Sequence, residues 1–138
     1  MSAFTRAETL RSALRAVLTG EVDALPALFT QDVVGWSPNM LVGSIDELAE
    51  VVADRDGSLS DVNVEINAID VVGDKGFMEY RITAVFSGPF IIGDDLVLEP
   101  NGRELLLGAV MVAEFDGDRI AVFRNYFDDA ALLEQMLV

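Results

Sequence analysis

The chain has 138 residues, 24 acidic against 9 basic side chains and a formal net charge of −15, with no histidine and no cysteine. So acidic a surface repels phosphate backbones and anionic headgroups, which argues against nucleic-acid and membrane partners; the missing residue types remove the disulfide, the thiol nucleophile and the imidazole that is the usual base near neutral pH. With 51% hydrophobic residues, no leader-like segment and no apolar run of spanning length, the expectation is one cytoplasmic domain over residues 1–138.

In chain order, Thr5-Arg6-Ala7-Glu8 has the pattern of a capping box, and Leu10, Leu14, Val17 and Leu18 then form one apolar stripe that Gly20 closes. Asp23 is placed to cap a short second helix, with Pro26 in its first turn and Leu25, Leu28 and Phe29 as its apolar residues. Val33 to Trp36 reads as a short extended piece ended by the Ser37-Pro38-Asn39 turn. Ser44 and Glu47 form a second capping box, opening a helix with Ile45, Leu48, Val51 and Val52 that Gly57 ends.

Strands dominate from there. Val62, Val64 and Ile66 alternate with Asn63, Glu65 and Asn67, Gly73-Asp74-Lys75-Gly76 turns the chain, and Phe77 to Phe86 follows. A long connection over residues 87–102 leads to an apolar strand from Leu105 to Phe115, and Asp116-Gly117-Asp118 turns into a last strand, Ile120 to Phe127. Asp128 or Asp129 then caps a closing helix carrying Leu132, Leu133, Met136 and Leu137. Helices first and consecutive strands after give an α+β fold, an antiparallel sheet with helices on one face.

Alternation puts Ala121, Phe123, Asn125 and Phe127 on one face of the last strand, expected to line an internal pocket, and Ile120, Val122, Arg124, Tyr126 and Asp128 on the other. Met78, Tyr80, Ile82, Ala84 and Phe86 are assigned to the outer sheet face beside Ile120, Val122 and Tyr126. That face is too apolar for water and is expected to form a two-fold homodimer interface. Glu79, Arg81 and Thr83 would then point inward.

The tail DGDRIAVFRNYFDDAALLEQM, residues 116–136, resembles the C-terminal signature of the SnoaL-like proteins of the nuclear transport factor 2-like superfamily. Ketosteroid isomerases, scytalone dehydratase and limonene-epoxide hydrolases belong to the same superfamily. SGPFIIG, EPNGREL and LFTQDVVGW extend the likeness over most of the chain. The resemblance implies a curved, mostly antiparallel sheet wrapped around the N-terminal helices as a cone with a pocket inside. The epoxide-hydrolase relatives hold and activate a water with an Asp–Arg–Asp set, a Tyr and an Asn. Only Arg81 matches that set. Asn125 and Thr83 stand where acids would be, and Gly35 and Ser37 stand at the water-holding positions. Neither an amide nor a hydroxyl can take a proton as a carboxylate does, so epoxide hydrolysis is not expected. The polyketide-cyclase relatives use an Asp with a His. Asp128 matches the acid of the D-x-x-x-L-L-x-Q tail, where a helix cap is the other reading, and there is no His.

The candidate carboxylates for catalysis are Asp128 and Glu79, and Asn125, Arg81 and Thr83 are the candidate polar points of a ligand site. Trp36, Ile66, Leu107, Ala109, Met111, Phe123 and Phe127 are its candidate walls or lid. Plainer readings stand beside these: a rim salt bridge for Glu79 and Arg81, packing for Trp36, gap-filling for Met40 and Met111, and a solvated loop rather than a cation site for Asp94, Asp95 and Glu99. No cofactor or metal is expected. The resemblance implies a cofactor-independent isomerase, cyclase or dehydratase acting on a small apolar carbonyl compound. The alternative is a non-catalytic binder of a small ligand or a dimeric interaction module.

Overall fold

Helix α1 (Ala3–Thr19) opens the computed structural model, which describes residues 3–92 and 96–138. A 3-10 turn at Val22–Ala24 leads into α2 (Leu25–Leu28), and α3 spans Ile45–Asp54. The strands are β1 (Phe29–Ser37), β2 (Met40–Val42), β3 (Leu59–Val72), β4 (Lys75–Phe86), β5 (Phe90–Ile92), β6 (Leu96–Leu98), β7 (Glu104–Asp116) and β8 (Arg119–Phe127), and α4 (Asp129–Leu137) follows. Six strands form one sheet in the order β2-β1-β8-β7-β4-β3, while β5 and β6 pair separately. Every neighbouring pair is antiparallel except β1 with β8. The expected α+β fold, a curved mostly antiparallel sheet against N-terminal helices, is the observed one. No helix among the described residues is long and apolar enough to cross a membrane.

The sheet is organised by which face of each strand is apolar. Met78, Tyr80, Ile82, Ala84 and Phe86 of β4 alternate with exposed or half-buried neighbours, and Leu105, Ala109, Met111, Ala113 and Phe115 do the same on β7. Together with Val33 of β1 and Ile120 and Phe123 of β8, most of these side chains meet Leu10, Ala13, Leu14 and Ala16 of α1 in the main core. This overturns the dimer face read from the sequence. The Met78–Phe86 set is the inner face, covered by helices, and Glu79, Arg81 and Thr83 point outward. Both faces of β4 carry large side chains, so alternation alone does not say which is covered. Ile120 also lies inside, fully buried, because a bulge sets Ile120 against Phe115 and Val122 against Glu114.

Two caps differ from expectation. Helix α1 begins ahead of Thr5, so Thr5 is not its N-cap. Asp23 caps neither short helix, because Glu21 and Ala24 hold the cap positions without a side-chain bond. Ser44 does cap α3, accepting from Glu47 N at 3.1 Å, and Glu47 Oε2 reaches back to Gly43 N at 3.2 Å.

The hairpin turns between β3 and β4 and between β7 and β8 are tied to α1 by one side chain. Arg6 donates from Nε and Nη2 to Gly117 O at 3.1 and 2.9 Å, and from Nη1 to Gly73 O at 2.6 Å. Its guanidinium also lies 5.3 Å from the Phe115 ring centroid. Arg6→Ala is expected to cost about 1–2 kcal/mol, because the backbone carbonyls regain water while the charge-assisted bonds are lost. Denaturant unfolding checks this, and an unchanged midpoint would contradict the clamp.

Candidate functional site

Inner-face burial is not uniform. Ala113, Phe123 and Met111 are almost fully buried, whereas Ile66, Leu107, Asn125 and Phe127, also on the inner face, are only half-buried. Of these, Ile66 packs against the main core, Phe127 against that core and a second apolar cluster, and Leu107 against the second cluster alone. That cluster joins Phe86, Phe90, Leu98 and Leu105 to Leu132 and Met136 of α4. Leu59 and Phe127 touch both clusters. The boundary between the two clusters is a seam of half-buried side chains.

Close packing fills the main core around Phe123. A Cβ on Gly35 would stand 2.3 Å from the Phe123 ring, so the ring occupies the space over Gly35. Phe123 also packs on Phe29 with ring centroids 5.4 Å apart. A Cβ on Gly88 would stand 2.2 Å from Gly57 O, so only glycine lets the β4–β5 connection lie against the segment that follows α3.

Three polar side chains, Tyr80, Asn125 and Ser37, stand on inner-face positions. The Tyr80 hydroxyl donates to Asn125 Oδ1 at 2.9 Å. Burial pushes the Tyr80 phenol well above its ordinary value, so it stays a donor. Asn125 Nδ2 has no acceptor among the described residues and keeps two N–H groups to offer. Ser37, also buried, donates from Oγ to Asn39 Oδ1 at 3.0 Å. Arg55, at the end of α3, extends that chain of bonds. It donates to Asn39 O at 2.8 Å, to Asn39 Oδ1 at 3.3 Å and to Ile91 O at 3.3 Å, and it lies 4.6 Å from the Phe90 ring centroid. Burial pulls the Arg55 guanidinium below its ordinary value, and the charges of Asp129 and Asp54 pull it back up.

The sequence candidates are thus divided by the fold. Asn125 faces inward as expected, with a hydrogen-bond partner, and Ile66, Leu107, Ala109, Met111, Phe123 and Phe127 share its face. Arg81 and Glu79 are exposed and Thr83 half-buried on the outer face, so none of the three reaches the interior. Trp36 is also outside, 39% exposed, its ring centroid 5.3 Å from that of Tyr126. Asp128 caps α4, accepting from Ala131 N at 3.0 Å, and is exposed. Asp94 and Asp95 lie outside the described residues, and Glu99 is exposed. No group of three or more acidic ligands able to hold a metal ion occurs among the described residues. The inner positions of β3, β4, β7 and β8 carry no carboxylate.

Sequence reasoning missed Tyr80, Asn39 and Arg55. Tyr80 was legible only with the correct face of β4, and no motif in the sequence singles out Arg55. Two surface depressions lie away from the seam. One of about 410 Å³ is bounded by Arg103, Glu104, Ala131, Glu134, Gln135 and Val138, the other of about 420 Å³ by Ala27, Thr30, Asp116, Asp118 and Arg119.

Comparison with known proteins places this geometry in a family. The family model of the SnoaL-like polyketide cyclases matches residues 7–136. No curated protein matches the chain. Among solved structures, a protein described as a SnoaL-like polyketide cyclase from Jannaschia sp. CCS1 is similar at TM-score 0.82 and 17% identity, over 97% of this chain and 92% of that one. An epoxide hydrolase of limonene-epoxide-hydrolase type from M. tuberculosis gives 0.73 at 17%, over 98% and 91%. A protein of ketosteroid isomerase-like fold from Catenulispora acidiphila gives 0.74 at 16%, over 95% and 93%. At these identities the likeness to solved structures shows the fold.

Proposed function

The chain belongs to the SnoaL-like polyketide cyclase family, and from that premise we propose that it binds a small apolar carbonyl compound in the seam, the carbonyl oxygen accepting from Asn125 Nδ2. The observation that carries this reading is the Tyr80–Asn125 bond. Tyr80 fixes the amide by its oxygen, and Ile66, Leu107 and Phe127 are half-buried apolar residues on the same sheet face. A carbonyl compound matches that pairing of one donor with apolar walls.

Isomerase, cyclase or dehydratase chemistry also needs a proton acceptor. The inner strands supply none, so binding is the primary reading. Calorimetric titration with 2-acetonaphthone tests the reading. Binding that Asn125→Ala weakens by about tenfold supports it, in line with the loss of a buried hydrogen bond; equal affinity for wild type and variant overturns it. Hydrolysis of terpene epoxides is expected to be undetectable. Asn125 cannot take a proton, and an acid placed at Thr83 would stand on the outer face. Measurable wild-type turnover would refute this.

A homodimer through the outer sheet face is a second part of the proposal, on corrected residues. Val34, Trp36, Tyr126, Leu106 and Phe77 are between 39% and 51% exposed there. The ion pair Arg124–Glu114, 3.0 Å apart, lies on the same face and neutralises itself in a chain of net charge −15. Light scattering is expected to give twice the chain mass, and Trp36→Glu the chain mass. A monomeric wild type contradicts this.

A further inference from the structure

The Pro100-Asn101-Gly102 motif takes no part in the site described above. Glycine is required at 102, where the backbone has a φ of +70°. It follows an asparagine, and with no Cβ on the glycine its backbone nitrogen has the freest approach to the preceding carboxamide. The fold gives that carboxamide a structural task. Asn101 Nδ2 donates to three carbonyl oxygens at the end of α4: Gln135 O at 2.9 Å, Met136 O at 3.2 Å and Val138 O at 3.2 Å. Such carbonyls lack partners inside the helix. Asn101 Oδ1 accepts from Arg103 N at 3.0 Å, and Gly102 N donates to Phe86 O at 2.9 Å. Both the carboxamide and the nitrogen that could attack it are therefore held in hydrogen bonds. They stay held while α4 is docked through Leu132 and Met136 on the cluster of Phe86, Phe90, Leu98 and Leu105.

We propose that Asn101 is a deamidation site that α4 protects while docked, and that its conversion loosens α4 irreversibly. When α4 lifts, Asn101 Nδ2 loses its acceptors. The Gly102 nitrogen gives up its proton to hydroxide and attacks Cγ of Asn101. The new N–Cγ bond closes a succinimide, the Cγ–Nδ2 bond breaks, and the nitrogen leaves as ammonia after taking a proton from water. Water then opens the ring at either carbonyl and leaves aspartate or isoaspartate. The net exchange is water for ammonia, with no change of oxidation state. A carboxylate at this position cannot donate to the carbonyls of Gln135 and Met136. It also sets a negative charge against the negative end of α4. Docking is then weakened on both counts, and the cluster that α4 covers, with Leu107 and Phe127 packed against it, is less well shielded. The inference does not depend on the carbonyl-binding reading.

The test follows conversion at residue 101 by peptide mass mapping of the full chain, kept in mildly alkaline buffer with and without guanidinium chloride. Folded wild type is expected to convert at least about tenfold more slowly than the unfolded chain, because only the opened state reacts. Leu132→Ala removes a contact of α4 with its cluster and should speed conversion in the folded chain about tenfold, whereas Phe123→Ala in the main core should not. The product is tested separately with Asn101→Asp. Amide hydrogen exchange in α4 should be about tenfold faster in that variant and exchange in α1 unchanged. Equal rates in folded and unfolded wild type, or no acceleration by Leu132→Ala, would overturn the protection by α4. Equal acceleration by Leu132→Ala and Phe123→Ala would overturn it too, since global unfolding alone would then expose Asn101. Unchanged exchange of α4 in Asn101→Asp would overturn the release.

Discussion

Replacing Phe123 with alanine should destabilise the protein by about 3–5 kcal/mol, lowering the melting temperature by about 10–20 °C for a domain of this size. Phe123 is 1% exposed, packs on Phe29 and fills the space over Gly35, so its removal opens a cavity that rigid strand neighbours cannot close. The same contact makes a second outcome specific. Gly35→Ala alone should be strongly destabilising, since its Cβ would stand 2.3 Å from the ring. In the Phe123→Ala background it should cost little or even stabilise. Additive effects in the double mutant would show that ring and glycine do not share that space.

Asn125→Leu should both abolish ketone binding and cost about 1–3 kcal/mol of stability, because it leaves the buried Tyr80 hydroxyl without its acceptor. Alkaline titration gives an independent reading of the same bond. Burial holds the Tyr80 phenol above the ordinary value of about 10. The unfolded chain therefore loses that proton first. The stability this provides is intact below about pH 10 and falls as pH rises above it. Unfolding midpoints measured from about pH 8 to about pH 11 should fall in wild type, and Tyr80→Phe should flatten that fall. A slope unchanged by Tyr80→Phe would place the phenol in water.

How much of this was legible in the sequence follows from what alternation can carry. The order of elements and the capping of α3 by Ser44 were readable because they depend on local spacing. The inward position of Asn125 was readable because its neighbours Phe123 and Phe127 are aromatic and its own strand ends in a helix. The face of β4 was not readable. Both of its alternating sets are substantial, and the deciding fact is that α1 lies across Met78 and Tyr80, which is a tertiary fact. That single inversion moved Glu79, Arg81 and Thr83 out of the site and Tyr80 into it. The bulge at Ile120 was equally hidden, since nothing in the spacing from Arg119 to Phe123 marks an extra residue. Arg55 and Asn39 are joined across 16 positions of sequence, and no local pattern brings a helix end to a strand turn.

The central claim, that the seam beside Asn125 receives a carbonyl compound, is tested most directly by a crystal structure of the protein soaked with 2-acetonaphthone. The account predicts the ketone oxygen within hydrogen-bond distance of Asn125 Nδ2, with the ring system against Ile66, Leu107 and Phe127. Ligand seated only in the depression between Arg103 and Gln135, with the seam closed over Asn125, would contradict it.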